Sequence, residues 1–237
     1  MATATGAERL LDAADDDGGA AALAAPPLQD TRAWRALHAL GFTIGGVTFI
    51  AGTAAYWAPP SDAAANAAAA LYTTGSLGFL TVDVLEFFTP AYAAAYPLRY
   101  NIACSALGST LYVVGSVGFF APVLAATPAV GVWGFLLGSA AIAGSQAWKV
   151  ARLSVGADGR CALRALLASR DVLTAAGVEA SAGLGAAHFL VGTAMYAVAT
   201  EPPAWMNAVL AVWLLGSAWF SLGAGFLCVR HFVMGVS

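Results

Sequence analysis

Long apolar stretches alternate with short polar segments along this chain of 237 residues. Six of these stretches reach the length of about 20 helical residues that is needed to cross a hydrocarbon core of about 30 Å. They cover residues 36–57, 68–88, 101–125, 129–150, 177–199 and 205–227. The pattern therefore predicts an all-α polytopic membrane protein with six transmembrane helices.

The composition supports a lipid environment. Hydrophobic residues make up 60% of the chain and charged residues 10%, and the mean hydropathy is +0.76. Soluble domains carry about 25% charged residues. We therefore expect the lipid bilayer as the main partner, with a membrane-protein partner or a second copy of the chain as further alternatives, and no nucleic acid.

The basic residues predict the orientation, because cytoplasmic loops retain Lys and Arg. Asp62 and Glu201, both acidic, are the charged residues of the three short loops within the hairpins. All ten basic residues fall on the other side of a six-span model: Arg9, Arg32, Arg35, Arg99, Lys149, Arg152, Arg160, Arg164, Arg170 and Arg230. Both termini are therefore predicted on the cytoplasmic side, or on the matrix or stromal side in an organelle.

The six predicted spans form three consecutive copies of one two-helix hairpin. A glycine column, an aromatic column and a second glycine column align without a gap in the first helix of each copy. A Gly-Ser pair then follows in the second helix, 23, 23 and 24 residues after the preceding glycine. The columns are Gly45, Gly108 and Gly185; Phe49, Tyr112 and Phe189; Gly52, Gly115 and Gly192; and Gly75, Gly138 and Gly216. This internal period predicts three parallel two-helix repeats.

The aligned columns have a predicted role in helix packing. Gly45, Phe49 and Gly52 share one face of the first helix, where glycine lets a neighbouring backbone approach and the ring fills the adjacent space. Small residues are common at membrane helix interfaces because lipid is as apolar as leucine. We interpret the columns as joining the two helices of each hairpin, and a small-residue stripe lining a pore is the alternative.

These features define five segments. Residues 1–33 are predicted to form a disordered acidic tail, and residues 34–98, 99–152 and 177–237 the three hairpins. Residues 153–176 form a linker on the inner face. Leucines on one side of this linker favour a helix lying along the membrane interface, and an irregular loop is the alternative.

The hairpin motifs resemble the YrhK-like domain. The resemblance rests on a Gly followed by Ser or Thr in the first helix and a Gly-Ser followed by an aromatic residue in the second. It is strongest over residues 49–56 and 71–86 and recurs across most of residues 36–227. It implies a small integral membrane module without assigned catalytic residues.

Ionisable residues within membrane spans are the candidates for chemistry, because their burial in lipid is costly. His188 lies near the middle of the fifth predicted span. It is compatible with a proton relay or a cofactor ligand, and the alternative is a neutral imidazole bonded to a neighbouring helix. A lone histidine without a partner at its depth does not predict a metal site.

A second group of polar residues lies toward the predicted inner face. Asp83 and Glu86 are one turn apart in the second span, and Gln146 and Lys149 occupy the equivalent positions of the fourth. Equal depth would allow Glu86 to pair with Lys149, or Asp83 with Gln146. Such a group predicts a polar vestibule for an ion or proton, and the alternative is that the long side chains reach the headgroups.

Motifs of soluble enzymes such as GxSxG and HExxH do not occur in the sequence. The sequence therefore predicts no catalytic residues, no metal and no cofactor. A structural or interaction scaffold in the membrane is the predicted function. The alternative is a pathway for a small solute, ion or proton that uses Asp83, Gln146 and His188.

Overall fold

The computed structural model describes residues 27–90, 96–155, 159–198 and 204–236. Six long helices dominate these residues: α1 (Arg32–Ala55), α2 (Asp62–Phe88), α3 (Tyr96–Gly118), α4 (Pro128–Leu153), α5 (Arg170–Val198) and α6 (Ala204–Cys228). All six are long and apolar enough to cross a membrane. The prediction of an all-helical protein with six such helices is therefore confirmed for the described part of the chain. Most of the predicted acidic tail, with Arg9, and Glu201 of the third hairpin loop lie outside it.

Short elements complete the described chain. A 3-10 turn, Leu28–Asp30, precedes α1, and a short helix, Ala121–Ala126, lies between α3 and α4. A one-turn helix, Leu163–Leu166, precedes α5, and a π-helical segment, Val229–Val233, continues α6.

The six helices form a closed ring. Each packs against the helix before it and the helix after it in the chain, and α6 packs against α1. The start of α1 and the end of α6 therefore lie at the same end of the bundle. This end carries Arg35, Lys149, Arg152, Arg170 and Arg230, and we call it the basic end.

Two helix boundaries differ from the prediction. The third apolar stretch was predicted to continue to residue 125, but α3 ends at Gly118. Pro122, the second residue of the separate short helix, lacks the amide that a continuous helix would need. The fifth helix begins at Arg170 instead of residue 177. Ser169 caps it by accepting a hydrogen bond from the Val172 amide at 3.1 Å, and Asp171 lies in its first turn. Within the predicted linker, the structure has a one-turn helix at Leu163–Leu166 and the beginning of α5 at Arg170.

The centre of the ring is filled with aromatic side chains. Phe49, Tyr112 and Phe189 are at most 1% exposed and contact one another, with ring centroids 5.1 to 6.2 Å apart. Further rings extend this layer in both directions along the bundle. We call the whole set the aromatic plug: Phe49, Tyr56, Tyr72, Phe79, Tyr112, Phe119, Phe135, Phe189, Tyr196, Trp213 and Phe220.

The glycine columns lie where pairs of helices approach most closely. An ideal Cβ on Gly45 would lie 2.3 Å from the Phe79 ring, and one on Gly75 would lie 2.5 Å from the Phe49 ring. The equivalent glycines of the other two hairpins make the same kind of contact with a ring or side chain of their own hairpin: Gly108 with Ile142, Gly138 with Tyr112, Gly185 with Phe220, and Gly216 with Phe189. Gly52, Gly115 and Gly192 likewise face Tyr72, Phe135 and Trp213.

Hydroxyl groups connect the two helices of each hairpin. Thr53 donates to the Phe49 carbonyl at 2.9 Å and lies 2.7 Å from the Tyr72 hydroxyl. The Tyr112 hydroxyl lies 2.8 Å from Ser139 Oγ, and Trp213 donates to Thr193 at 3.3 Å. Such bonds are well suited to an apolar surrounding, where every polar group must find an internal partner.

Candidate functional site

A polar cavity lies inside the ring at the basic end. Its volume is about 120 Å³, which accommodates several water molecules at about 10–15 Å³ each. Drug-sized ligands occupy pockets of about 300–1,000 Å³, so the cavity suits an ion, waters or a very small solute. Phe79, Ile142 and Phe220 line it on the side of the aromatic plug.

Every long helix of the ring, or the segment that continues it, contributes a polar side chain to this cavity. They are His38 of α1, Asp83 and Glu86 of α2, Ser105 and Ser109 of α3, Gln146 and Lys149 of α4, Glu179 of α5, and Arg230 and His231 after α6. Because helices that are far apart in sequence contribute to one cavity, its charge depends on the whole ring.

An ion-pair network crosses the cavity. The Lys149 ammonium donates to Glu86 Oε2 at 3.2 Å and lies 3.4 Å from Glu179 Oε2. The lysine side chain is 8% exposed, and the Glu86 and Glu179 side chains are 16% and 20% exposed. A buried ammonium requires such partners, because an unpaired charge in a low-dielectric interior is very costly. The network thereby ties α2, α4 and α5 together.

Two histidines extend this network toward the end of the chain. Glu86 Oε1 lies 3.2 Å from His38 Nε2, and His38 Nδ1 lies 2.9 Å from His231 Nε2. His231 Nδ1 is 2.9 Å from the Val236 carbonyl oxygen. The ring of Trp34 stacks on His38 with centroids 4.5 Å apart. A continuous chain of polar contacts thus runs from the Val236 carbonyl to Glu86.

Asp83 and Gln146 lie one turn deeper than Glu86 and Lys149. Asp83 is 6% exposed and accepts a hydrogen bond of 2.5 Å from Ser109 on α3. Gln146 is also 6% exposed, and its Oε1 has no hydrogen-bond partner among the described residues. A buried amide oxygen without a partner marks a place where a ligand or water can donate a hydrogen bond.

The predicted polar residues therefore have different surroundings. Glu86 and Lys149 pair across α2 and α4, whereas Asp83 bonds to Ser109 and not to Gln146. His188 does not line the cavity. Its Nδ1 bonds to the Leu184 carbonyl of its own helix at 2.7 Å, so the expectation of a bond to a neighbouring helix is wrong. The helix itself offers a carbonyl one turn back at hydrogen-bonding distance, and this local acceptor is sufficient.

Sequence reasoning missed His38, Glu179 and His231. His38 lies seven residues before Gly45, on the buried face that the glycine column defines, and extending that face by two turns would have found it. Glu179 lies near the start of the fifth predicted span, at 177–199, but it lies well inside α5 because this helix begins at Arg170. His231 lies beyond the predicted end of the last span, in the π-helical continuation of α6.

Among the described residues, no group of three or more His, Cys, Asp or Glu side chains is arranged to hold a metal ion. The side chains that line the cavity can form hydrogen bonds, exchange protons and attract charged groups. Comparison of the chain with protein-family models, with curated proteins and with solved structures finds no match.

Proposed function

We propose that this chain is a multi-pass integral membrane protein whose cavity binds a small monovalent cation, as one end of an ion pathway. The observation that carries the proposal is the buried cavity with polar side chains from the whole ring. It contains three carboxylates, the Lys149 ammonium, the Arg230 guanidinium, which pairs with Asp171, and the unpartnered Gln146 Oε1. An ion pathway was the alternative function predicted from the sequence. The cavity now takes the place of a route through His188.

The charges of the cavity favour a cation. Asp83, Glu86 and Glu179 face the single ammonium of Lys149. Low-dielectric surroundings strengthen the resulting field, since buried charges are poorly screened. Gln146 Oε1 adds a neutral acceptor beside Asp83, and the faces of Phe79 and Phe220 are compatible with a weakly hydrated cation.

The surface of the bundle supports insertion into a membrane. Large apolar side chains point outward along the helices, including Leu40, Val47, Leu77, Leu137 and Leu215, which are 49 to 55% exposed. The basic residues gather at one end, where they would meet headgroups. The orientation that we propose therefore places the cavity on the cytoplasmic, matrix or stromal side.

We also propose that the three hairpins are repeats of one unit and that they are related to the YrhK-like domain. Residues of the aligned columns lie at one level of the bundle, as Phe49, Tyr112 and Phe189 do in the plug. The kinship is supported by the hairpin motifs of the sequence.

The pathway is closed in this conformation. The aromatic plug fills the space between the cavity and the far end, and Phe79 and Phe220 belong to both the plug and the cavity wall. A cation entering from the basic end would therefore stop at Asp83 until the rings separate.

Cysteine labelling tests the one-sided access. We would replace Cys104, Cys161 and Cys228 with serine, introduce Ser105→Cys, and treat oriented vesicles with a membrane-impermeant cationic methanethiosulfonate. The proposal expects modification from the basic side alone. The matched control is Ser76→Cys, because Ser76 is fully buried against Ser116 within the plug region and is expected to stay unmodified from either side.

Transport is tested with the full chain in liposomes and with Na⁺ and K⁺ as probes. Asp83→Asn should reduce cation uptake at least tenfold, whereas Asp62→Asn, which changes an exposed acid at the start of α2, should leave it unchanged. Unmodified Ser105→Cys together with no cation uptake by the original chain would overturn the proposal.

A membrane scaffold is the second candidate function. It is favoured by the dense aromatic plug, which is a rigid filling and not a channel lining. As a scaffold, the chain would present its outer helix faces to a membrane-protein partner or to a second copy. A sealed cavity in the labelling experiment would leave this candidate as the better one.

A further inference from the structure

Three short contacts connect Glu86 to the Val236 carbonyl through His38 and His231, and the number of protons that they require can be counted. This series of contacts has three links: His38 Nε2 to Glu86, His38 Nδ1 to His231 Nε2, and His231 Nδ1 to the Val236 oxygen. Each link needs one proton to be a hydrogen bond. The two groups at the ends of the series, the Glu86 carboxylate and the Val236 carbonyl oxygen, accept hydrogen bonds and do not donate them.

Two neutral imidazoles cannot supply three protons. A neutral imidazole carries one N–H, so the pair supplies two, and one of the three short contacts would join two acceptors. A protonated Glu86 would provide the third proton. However, its other oxygen already accepts from the Lys149 ammonium at 3.2 Å, which favours the ionised carboxylate.

We infer that the histidine pair holds one extra proton, so that His38 is an imidazolium and His231 is neutral with its proton on Nδ1. His38 then donates to Glu86 and to His231 Nε2, and His231 donates to the Val236 carbonyl. All three links become hydrogen bonds in this state. The proton is then a second ion of the site. Its role in a pathway rests on the proposed function.

The surroundings place the charge on His38 and not on His231. His38 is next to the Glu86 carboxylate and stacks on Trp34 at 4.5 Å, where a cation is stabilised by the ring. His231 is adjacent in sequence to Arg230, which disfavours a second positive charge. The charged groups that surround the pair are Arg35 on α1, Asp83 and Glu86 on α2, Lys149 on α4, Glu179 on α5 and Arg230 after α6.

The charge balance then fits one bound cation. Arg230 also lines the cavity, but it pairs with Asp171 at 2.6 Å. His38 and Lys149 then supply two positive charges against the three carboxylates of Asp83, Glu86 and Glu179. One negative charge remains, and Asp83 is the carboxylate without a cationic partner within salt-bridge distance among the described residues. A single monovalent cation at Asp83 and Gln146 would neutralise the cavity.

The extra proton also couples the histidines to the lysine. Transfer of the Nε2 proton of His38 to Glu86 Oε1 breaks one N–H bond and forms one O–H bond, and it leaves a neutral imidazole and a neutral carboxyl. Lys149 then keeps Glu179 as its carboxylate partner and loses the attraction of Glu86. The proton state of His38 therefore controls how firmly the ammonium is held across α2 and α4.

Nitrogen NMR of the histidine side chains tests the inference directly, because the chain contains three histidines. The full chain, labelled with ¹⁵N-histidine and reconstituted in liposomes, would be measured at pH 8. At this pH a free histidine side chain is about 97% neutral. The expected spectrum contains one imidazolium and two neutral imidazoles.

Two variants assign the signal. His188→Gln removes the histidine outside the cavity and should leave the imidazolium unchanged. Glu86→Gln removes the carboxylate that stabilises the charge and should abolish the imidazolium signal while the folded spectrum is retained. Three neutral imidazoles in the original chain at pH 8, or an imidazolium that disappears with His188→Gln, would overturn the inference.

This experiment is independent of cation transport. An imidazolium without Na⁺ or K⁺ uptake would retain the proton site and reject the cation pathway. Uptake without an imidazolium would do the reverse.

Discussion

At the scale of single residues, the charge balance of the cavity depends on how one ammonium is held. Lys149 is the only lysine of the chain, and it bridges carboxylates from two different helices. Removing one partner of a buried ion pair leaves an uncompensated charge in the interior. The resulting loss of stability is larger than the net stabilisation that the intact pair provides.

Replacement of Lys149 should therefore reduce stability strongly. We expect Lys149→Met to lower the free energy of unfolding by about 3–5 kcal/mol, measured by denaturant unfolding in detergent. The double variant Lys149→Met with Glu86→Gln should recover part of this loss, because fewer buried charges remain unpaired. Arg152→Met, on the exposed side of the same helix, should change stability by less than about 0.5 kcal/mol. Equal losses for Lys149→Met and Arg152→Met would contradict the buried network.

Phe49 is the residue on which the aromatic plug converges. It is fully buried and contacts six other rings: Tyr72, Phe79, Tyr112, Phe135, Phe189 and Phe220. In the lipid surroundings that we propose, which are as apolar as the protein interior, the stability that a ring supplies comes from close packing and not from escape from water.

Truncation of Phe49 should therefore leave a cavity that lipid cannot fill. We expect Phe49→Ala to cost about 3 kcal/mol or more and to lower the temperature of thermal unfolding in detergent. Phe88→Ala is the control, because Phe88 is 72% exposed. If both variants unfolded at the same temperature, the plug would not be a source of stability.

At the scale of helices, close backbone approach sets the packing of each hairpin. An ideal Cβ on Gly134 of α4 would lie 2.5 Å from the Gly115 Cα of α3, and backbone atoms cannot move aside as a side-chain end can. Gly144 of the same helix has no atom within 4 Å of such a Cβ. The two glycines therefore separate the effect of helix contact from that of helix propensity.

The same substitution should have opposite effects at these two positions. Gly134→Ala forces α3 and α4 apart, and we expect a loss of about 1–3 kcal/mol. Gly144→Ala should be neutral or stabilising by up to about 1 kcal/mol, because alanine is the better helix former. Thermal unfolding of the two variants in the same detergent measures the difference. A loss of stability at Gly144 as large as that at Gly134 would be inconsistent with the observed contact.

At the scale of the whole molecule, the closed ring places the beginning and the end of the chain together. His38 of α1 contacts His231 after α6, and Arg230 donates to Asp171 at the start of α5 at 2.6 Å. The basic end is thus held together by contacts between the first, fifth and last helices.

This geometry predicts that both termini face the same side of the membrane. Protease-sensitive tags at the amino and carboxyl ends should be cleaved together in vesicles of one orientation and protected together in the other. A tag in the first hairpin loop, next to Asp62, should show the opposite pattern. Cleavage of one terminal tag and protection of the other would contradict an even number of crossings.

Much of the architecture could be read from sequence because hydropathy and side-chain period are local properties. The number and approximate length of the apolar helices follow from runs of residues. The facing glycine and aromatic columns follow from the 3.6-residue period of each helix. Glu86 and Lys149 could be matched because internal alignment gave both the same depth. Helix ends were less predictable. A capping residue such as Ser169, or a proline in the first turn of a helix such as Pro122, can outweigh the hydropathy of the neighbouring residues.

Hydropathy and the helical period along the chain were sufficient to predict long apolar helices, with a small-residue face on each and basic residues at one end. The tertiary structure was needed to show that the helices form a closed ring in chain order. It also decided that His38, Glu179 and His231 join the cavity of Asp83 and Lys149, while His188 stays outside it. The physical reason is that hydropathy acts within one helix, whereas the partner of a buried charge is chosen by how all six helices pack.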